Sequence, residues 1–226
     1  FINEIANFCE KVGADIKEVA KGIGLDKRIG RQFLNAGIGY GGSCFPKDVK
    51  ALIQTGRENE HEFHLLNAVE KINDLQKEKL LEKLFDIYPD ISGKIISIWG
   101  LSFKPNTDDI REAPSIVIIK KLLEKNAQIR AFDPISGPLV HERFDFHPSI
   151  NITKNPYDTL KDASALLILT EWEEFKNPNF KKIKELMREP HIFDGRNIHH
   201  PKIAHEHEIN YYSIGRQNVR HGEKVR

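Results

Sequence analysis

The sequence predicts an α/β protein in two unlike parts: an all-helical stretch over residues 1–92, then a doubly wound parallel-sheet domain over 93–226. Three observations predict it. Apolar residues recur at spacings of three and four through the first part. Near Asp90–Lys94 the pattern changes to short, continuous apolar runs closed by Gly or Asp, as in strands buried on both faces. These runs then alternate with helical segments, which implies parallel pairing through right-handed crossovers.

Taken in order, Phe1, Ile2, Ile5, Phe8, Cys9 and Val12 mark one face of a first helix, which Gly13 ends. Cys9 lies on that face and reads as core filling. Asp15 is placed to cap a second short helix through Ile16, Val19 and Ala20, closed by Gly22 and Gly24. After a glycine loop, PKDVKALIQTGREN reads as a helix that tolerates Pro46 in its first turn. From about Glu62 to Tyr88, Phe63, Leu65, Leu66, Val69, Ile72, Leu75, Leu80, Leu81, Leu84 and Phe85 predict one long helix, a packing axis or a dimer seam. The runs IISIWG, QIRAFDP, ASALLILT, HIFDG and EINYYSIG are the strands. PSIVIIKKLLEKN, NPYDTLKDA and NFKKIKELMRE are the intervening helices.

Charged residues make up 30% of the 226 and nearly cancel, leaving a formal charge of +1, which argues against a nucleic-acid-binding surface. No apolar run approaches the roughly 20 residues that span a bilayer, so no membrane role is expected. Two cysteines are too few for a disulfide framework and point to a reducing, cytoplasmic setting.

The chemistry concentrates in GYGGSCFPKD, residues 39–48. If Pro46 opens a helix, Cys44 stands at its start, where unpaired N–H groups and the helix dipole favour a thiolate. Lys47 adds a cation, and Asp48 a carboxylate one helical step on. Together they are the equipment for covalent catalysis at a carbonyl carbon; the competing reading is a glycine turn that carries a small apolar residue. A second candidate is GLSFKPNTDDIREAPS, in the turn after the first strand, where open α/β sheets bind ligands. Its cations are Lys104 and Arg111, and a helix N-terminus at Pro114 faces an anion. With Gly100 as its only glycine, this turn is a weak dinucleotide fingerprint. Asp133, ending the second strand, stands either as a ribose-binding acid or as the cap of a turn. Arg196, in DGRN after a later strand, reads as an anion contact or a surface turn residue. Ten histidines show no metal-ligand spacing, and no serine has a nucleophile-elbow setting; no metal is expected.

LNAGIGYGGSCFPKD closely resembles the active-site loop of the nucleotide-sugar dehydrogenases, the UDP-glucose/GDP-mannose dehydrogenase family, in its UDP-glucose branch. LDKRIGRQF, GLSFKPNTDDIRE, LTEWEEF and FDGRN stand in the family's order at compatible spacing, so the resemblance covers essentially the whole chain. It implies a Rossmann-like UDP-binding domain after a helical central one. It also implies a two-step, NAD-dependent oxidation of UDP-glucose to UDP-glucuronate through a cysteine thiohemiacetal and thioester. Cys44 falls on the nucleophile, Asp48 on the carboxylate that assists proton transfer, and Lys47 on the neighbouring lysine. Asn35, Ala36, Gly37, Ile38, Gly39, Tyr40 and Gly41 fall on the backbone stretch that holds the nucleotide sugar. Phe103, Lys104 and Arg196 match substrate contacts, and Arg111 an arginine that reaches NAD. Arg28 resembles an arginine that reaches the substrate of a neighbouring subunit, which makes the long helix the seam of a homodimer.

The sequence departs from the family pattern at its start. It has no GxGxxG domain and no counterpart of the family's catalytic threonine, glutamate, or the lysine and asparagine before the central helix. The expectation is therefore the C-terminal portion of a longer enzyme, inactive alone. The alternatives are a GDP-mannose or other nucleotide-sugar dehydrogenase, and a freestanding nucleotide-sugar-binding or dimerising module.

Overall fold

A computed structural model describes residues 1–222; the last four residues of the expected second domain lie outside the described residues. Five helices come first: α1 (Ile2–Val12), α2 (Ile16–Gly24), α3 (Phe45–Glu58), α4 (His64–Gln76) and α5 (Lys79–Ile87). Asp15 caps α2 as expected, its carboxylate accepting the Lys17 N–H at 2.7 Å. α1 buries Ile2, Ala6 and Cys9, so Cys9 is core filling.

The long helix expected over Glu62–Tyr88 is interrupted at Lys77 and Glu78. The Glu78 N–H bonds the Leu75 carbonyl, three residues back rather than four, which tightens one turn. There the buried Lys77 ammonium reaches Asp74 at 3.1 Å and Glu112 at 3.8 Å. The apolar stripe runs on through the break, so the sequence showed the stripe and hid the turn. Beyond it Leu80, Leu81 and Leu84 are fully buried, each worth roughly 2 kcal/mol, and α5 packs on the sheet.

The rest of the chain forms β1 (Ile95–Trp99), α6 (Pro114–Glu124), β2 (Gln128–Phe132), α7 (Gly137–Arg143), β3 (Ile150–Ile152), β4 (Ala165–Ile168), α8 (Glu173–Lys176), α9 (Phe180–Leu186), β5 (His191–Asp194), α10 (Pro201–Glu206) and β6 (Asn210–Ser213). All six strands are parallel in the order β3-β2-β1-β4-β5-β6, the doubly wound order. Side chains alternate across it. Ile96, Ile98 and Leu167 join the core beneath α1, α5 and α6, while Trp99, Leu166 and Ile168 join the core beneath α9 and α10. β3 escaped the sequence reading because three residues at a sheet edge show no period. The helix expected in NPYDTLKDA is one 3₁₀ turn over Pro156–Thr159, capped by Asn155 and ending at Leu160.

The helical part is stitched to the far end of the chain. Ile16 N–H donates to the Gly215 carbonyl at 2.9 Å. Gly215 N–H donates to Glu10 at 2.7 Å, and Arg216 pairs with Asp15 at 3.1 Å.

Asp133 resolves to the turn cap. Its Oδ2 accepts from Leu101 N at 2.7 Å, Ser102 N at 3.2 Å and Trp172 Nε1 at 3.1 Å, and its Oδ1 from Ile135 N at 2.9 Å and Ser136 N at 2.8 Å. Burial opposes its ionisation, but these backbone donors outweigh burial and hold the carboxyl below the usual range. A depressed folded pKa gives stability that is present above about pH 4, the unfolded value, and lost as pH falls through the folded one. Asp133→Asn turns one acceptor into a donor facing N–H groups, and should lower stability by about 2 kcal/mol in urea at neutral pH. The deficit should shrink under acid.

Candidate active site

Register places the exits of four strands side by side, with Trp99 level with Phe132 and Ile168, and Ile168 level with Asp194. The strand order reverses between β1 and β4, which run parallel, so the loops that follow them part and leave a crevice at this edge. The glycine loop of the helical part lies across that crevice. Ile38 N–H donates to Gly195 O at 3.0 Å, and Gly42 N–H to Arg111 O at 2.7 Å. Gly41 is so close to the β1–α6 loop that a Cβ there would stand 2.3 Å from the Glu112 carbonyl oxygen. At Gly42, φ is +91° and a Cβ would meet the Phe103 ring at 2.7 Å. Both positions require glycine.

Arg196 ties the loop to the sheet. Its Nε donates to Leu169 O at 2.8 Å, Nη1 to Gly39 O at 3.0 Å and Nη2 to Phe103 O at 3.4 Å. Glu171 lies 3.4 Å from Nε. Burial pulls Arg196 below its ordinary value, opposed by Glu171 and Asp194. The residue expected either as an anion contact or as a surface turn residue is thus a three-element staple.

Two cavities flank the loop. The first, about 730 Å³, is lined by Asn35, Gly37, Gly39, Tyr40, Gly41, Phe103, Lys104 and Arg196, together with Glu171, Asn73 and Phe45. That size suits a nucleotide-sized ligand. Ala36 and Ile38 are buried and do not line it; they pack in the core and offer only backbone. Lys104 lies over the Phe103 ring at 5.2 Å. The second cavity, about 720 Å³, is lined by Gly42, Ser43, Pro46, Lys47, Lys50, Arg111 and Arg143. Asp109 bonds Arg111 at 2.8 Å and raises its pKa, and Cys44 adds to this at longer range.

Cys44 is exposed and sits at the start of α3. Its two neighbours face different cavities, Phe45 the first and Ser43 the second. Cys44 itself lines neither cavity and stands in the chain between a residue of each. Lys47 and Asp48 are exposed beside it and pair at 3.5 Å. Arg28 is not brought to this site: it is exposed, bonds Asp26 at 2.6 Å and lines neither cavity.

Sequence reasoning missed Asn73, Glu171, Lys50 and Arg143. Glu171 was signalled by LTEWEEF and its place after a strand; Asn73 is one polar residue on a helix, which carries no such signal.

Comparison with known proteins places both parts of the chain in one family. Residues 1–75 match the central domain, and residues 97–201 the UDP binding domain, of the UDP-glucose/GDP-mannose dehydrogenase family. UDP-glucose 6-dehydrogenase YwqF of Bacillus subtilis is 48% identical over 97% of this chain and 49% of its own length. UDP-glucose 6-dehydrogenase of Pseudomonas aeruginosa is 42% identical over 98% and 50%. The chain thus spans about half the length of these curated relatives. The solved UDP-glucose dehydrogenase of Pyrobaculum islandicum superposes with a TM-score of 0.83 at 31% identity, over 96% of this chain and 47% of that one.

Proposed function

The chain belongs to the UDP-glucose/GDP-mannose dehydrogenase family, and from that premise we propose that it carries the nucleophile and most of the nucleotide-sugar site of an enzyme oxidising UDP-glucose to UDP-glucuronate. The carrying observation is an exposed Cys44 at the start of α3, between Phe45, which lines the groove of the substrate-contact candidates, and Ser43, which lines a second cavity with four cations. In this reading residues 1–92 are the helical domain and 93–226 the UDP-binding domain.

The first cavity takes the UDP-sugar, with Lys104 and Arg196 supplying cations to the diphosphate and the backbone of Asn35–Gly41 following the nucleotide. In the second cavity Lys47, Lys50, Arg111 and Arg143 would hold the phosphates of NAD. Glu112 also lines it and pairs with Lys50, and Asp48 and Asp109 pair with Lys47 and Arg111. NAD, when bound, supplies the hydride acceptor for both oxidations. The Cys44 sulfur adds to the C6 aldehyde left by the first oxidation, forming the C–S bond of a thiohemiacetal. Loss of a second hydride gives the thioester, and water cleaves the C–S bond to release carboxylate and thiol. Asp48 takes the proton from that water, and Lys47 offsets the developing oxyanion. We place the enzyme in the cytosol as a homodimer. Phe8 and Val12 on α1 and Leu65 and Leu75 on α4 are exposed and available to a second copy, whose groove Arg28 would reach.

Calorimetry on the chain tests the substrate. UDP-glucose should bind at least tenfold more tightly than GDP-mannose. Lys104→Ala, at an exposed position, should weaken UDP-glucose about tenfold through its lost phosphate contact. Equal affinity for the two sugars, or no heat with either, overturns the reading.

A further inference from the structure

The loop that carries Gly37–Gly42 is buried but belongs to no sheet, so its N–H and C=O groups need partners from elsewhere. Side-chain amides on two helices provide them. Asn73 Oδ1 accepts the Tyr40 N–H at 2.8 Å, and Asn73 Nδ2 donates to the Tyr40 carbonyl at 3.1 Å. One side chain thus pairs with both polar groups of one residue, as the edge of a neighbouring strand would. One turn further along α4, Gln76 Nε2 donates to the Gly37 carbonyl at 2.8 Å, while the Gly37 N–H goes to Asn3 Oδ1 at 2.9 Å. Gln76 is itself fixed by Asn7, whose Nδ2 donates to Gln76 Oε1 at 2.9 Å. Asn73 and Gln76 are both buried, and their spacing of three puts them on one helix face.

We propose that Asn73, supported by Gln76, is a positioning residue that holds the loop in the shape that both the nucleotide-sugar groove and Cys44 require. The loop is gripped alternately from the two halves. Gly37 and Tyr40 are held by helix amides, whereas Ile38, Gly39 and Gly42 are held by Gly195, Arg196 and Arg111 at the sheet edge. Tyr40 lines the groove, and its ring lies 5.6 Å from that of Phe45, the residue after Cys44. Releasing the Tyr40 backbone, its hydroxyl still donating to Glu70 at 2.7 Å, therefore loosens the groove wall and the approach to the cysteine together. The ligand arm of this inference rests on the nucleotide-sugar reading; the loop arm does not.

The test compares Asn73→Asp and Asn73→Ala in the full chain. An ionised carboxylate still accepts the Tyr40 N–H but turns a lone pair toward the Tyr40 carbonyl; once protonated, it donates there as the amide did. Asn73→Asp should bind UDP-glucose about tenfold more weakly than the parent near pH 8 and within about twofold near pH 5. Asn73→Ala should be impaired at both. Hydrogen exchange at Gly42, which Asn73 does not touch, should rise about tenfold in Asn73→Ala, with β4 amides unchanged as the folding control. Parental binding by Asn73→Asp at pH 8, or an equal defect at both pH values, overturns the proposal. If the parent itself binds no UDP-glucose, the nucleotide-sugar reading fails and Gly42 exchange alone decides: faster exchange sustains the positioning role, and parental exchange overturns it.

Discussion

Iodoacetamide should modify Cys44 about a thousand times faster than Cys9 in the folded chain, and denaturant should erase most of the difference. Cys9 faces inward from α1 with only 3% of its surface exposed, in the same core as Ile2, Ala6 and Ile16. Burial pushes its thiol up, and the nearby Asp15 and Glu10 carboxylates push the same way. The reagent reaches it only when α1 opens; an opening free energy of about 4 kcal/mol gives the thousandfold protection. Cys44 needs no opening, because it is exposed at the first turn of α3 with Ser43 Oγ 3.7 Å from its sulfur. UDP-glucose should slow its modification by filling the groove that Phe45 lines. Mass spectrometry after timed quenching separates the two sites. Comparable rates for both cysteines would mean that α1 does not hold its place in the core.

The two cysteines also show what was legible in the sequence. Helical spacing placed Cys9 inside, and a glycine loop before a proline placed Cys44 at a helix start; both are local patterns with one physical outcome. The parallel sheet was legible for the same reason, since buried strands read as continuous apolar runs. What stayed hidden depends on long-range partners. Asp133 could be a ligand acid or a cap; Ile135 and Ser136 make the local cap on one oxygen, and Leu101, Ser102 and Trp172, arriving from other segments, occupy the other. Lys77 and Glu112 are ordinary surface residues by composition, yet their pairing across the two halves accompanies a tightened turn in the long helix. Arg196 was legible as an anion contact or a surface turn residue and not as a staple, because its acceptors are the backbone carbonyls of Gly39, Phe103 and Leu169, which no side-chain pattern reveals.

Gly41→Ala should lower stability by about 3 kcal/mol and abolish UDP-glucose binding, although it adds a single methyl group. Strained dihedrals are not the reason: Gly41 is absent from the left-handed glycines. The methyl carbon would lie 2.3 Å from Glu112 O, 2.7 Å from Glu112 C and 3.0 Å from Ala113 Cα, all of them backbone. Backbone gives way only if the β1–α6 loop moves. Glu112 is fixed there by Lys50 at 3.4 Å and Lys77 at 3.8 Å, and Ala113 leads directly into α6. Separation must therefore come from the glycine loop, which breaks the Gly42–Arg111 hydrogen bond and shifts Cys44, two residues further on. For a chain of this size the loss corresponds to a melting temperature lower by roughly 9 °C. Gly22→Ala supplies the contrast: it sits within α2, and nothing stands within 4 Å of its added carbon. Alanine there should raise stability by up to about 1 kcal/mol through helix propensity. Opposite signs for the same substitution at two glycines would locate the effect in the approach of two backbones; a loss of equal size at both would refute that account.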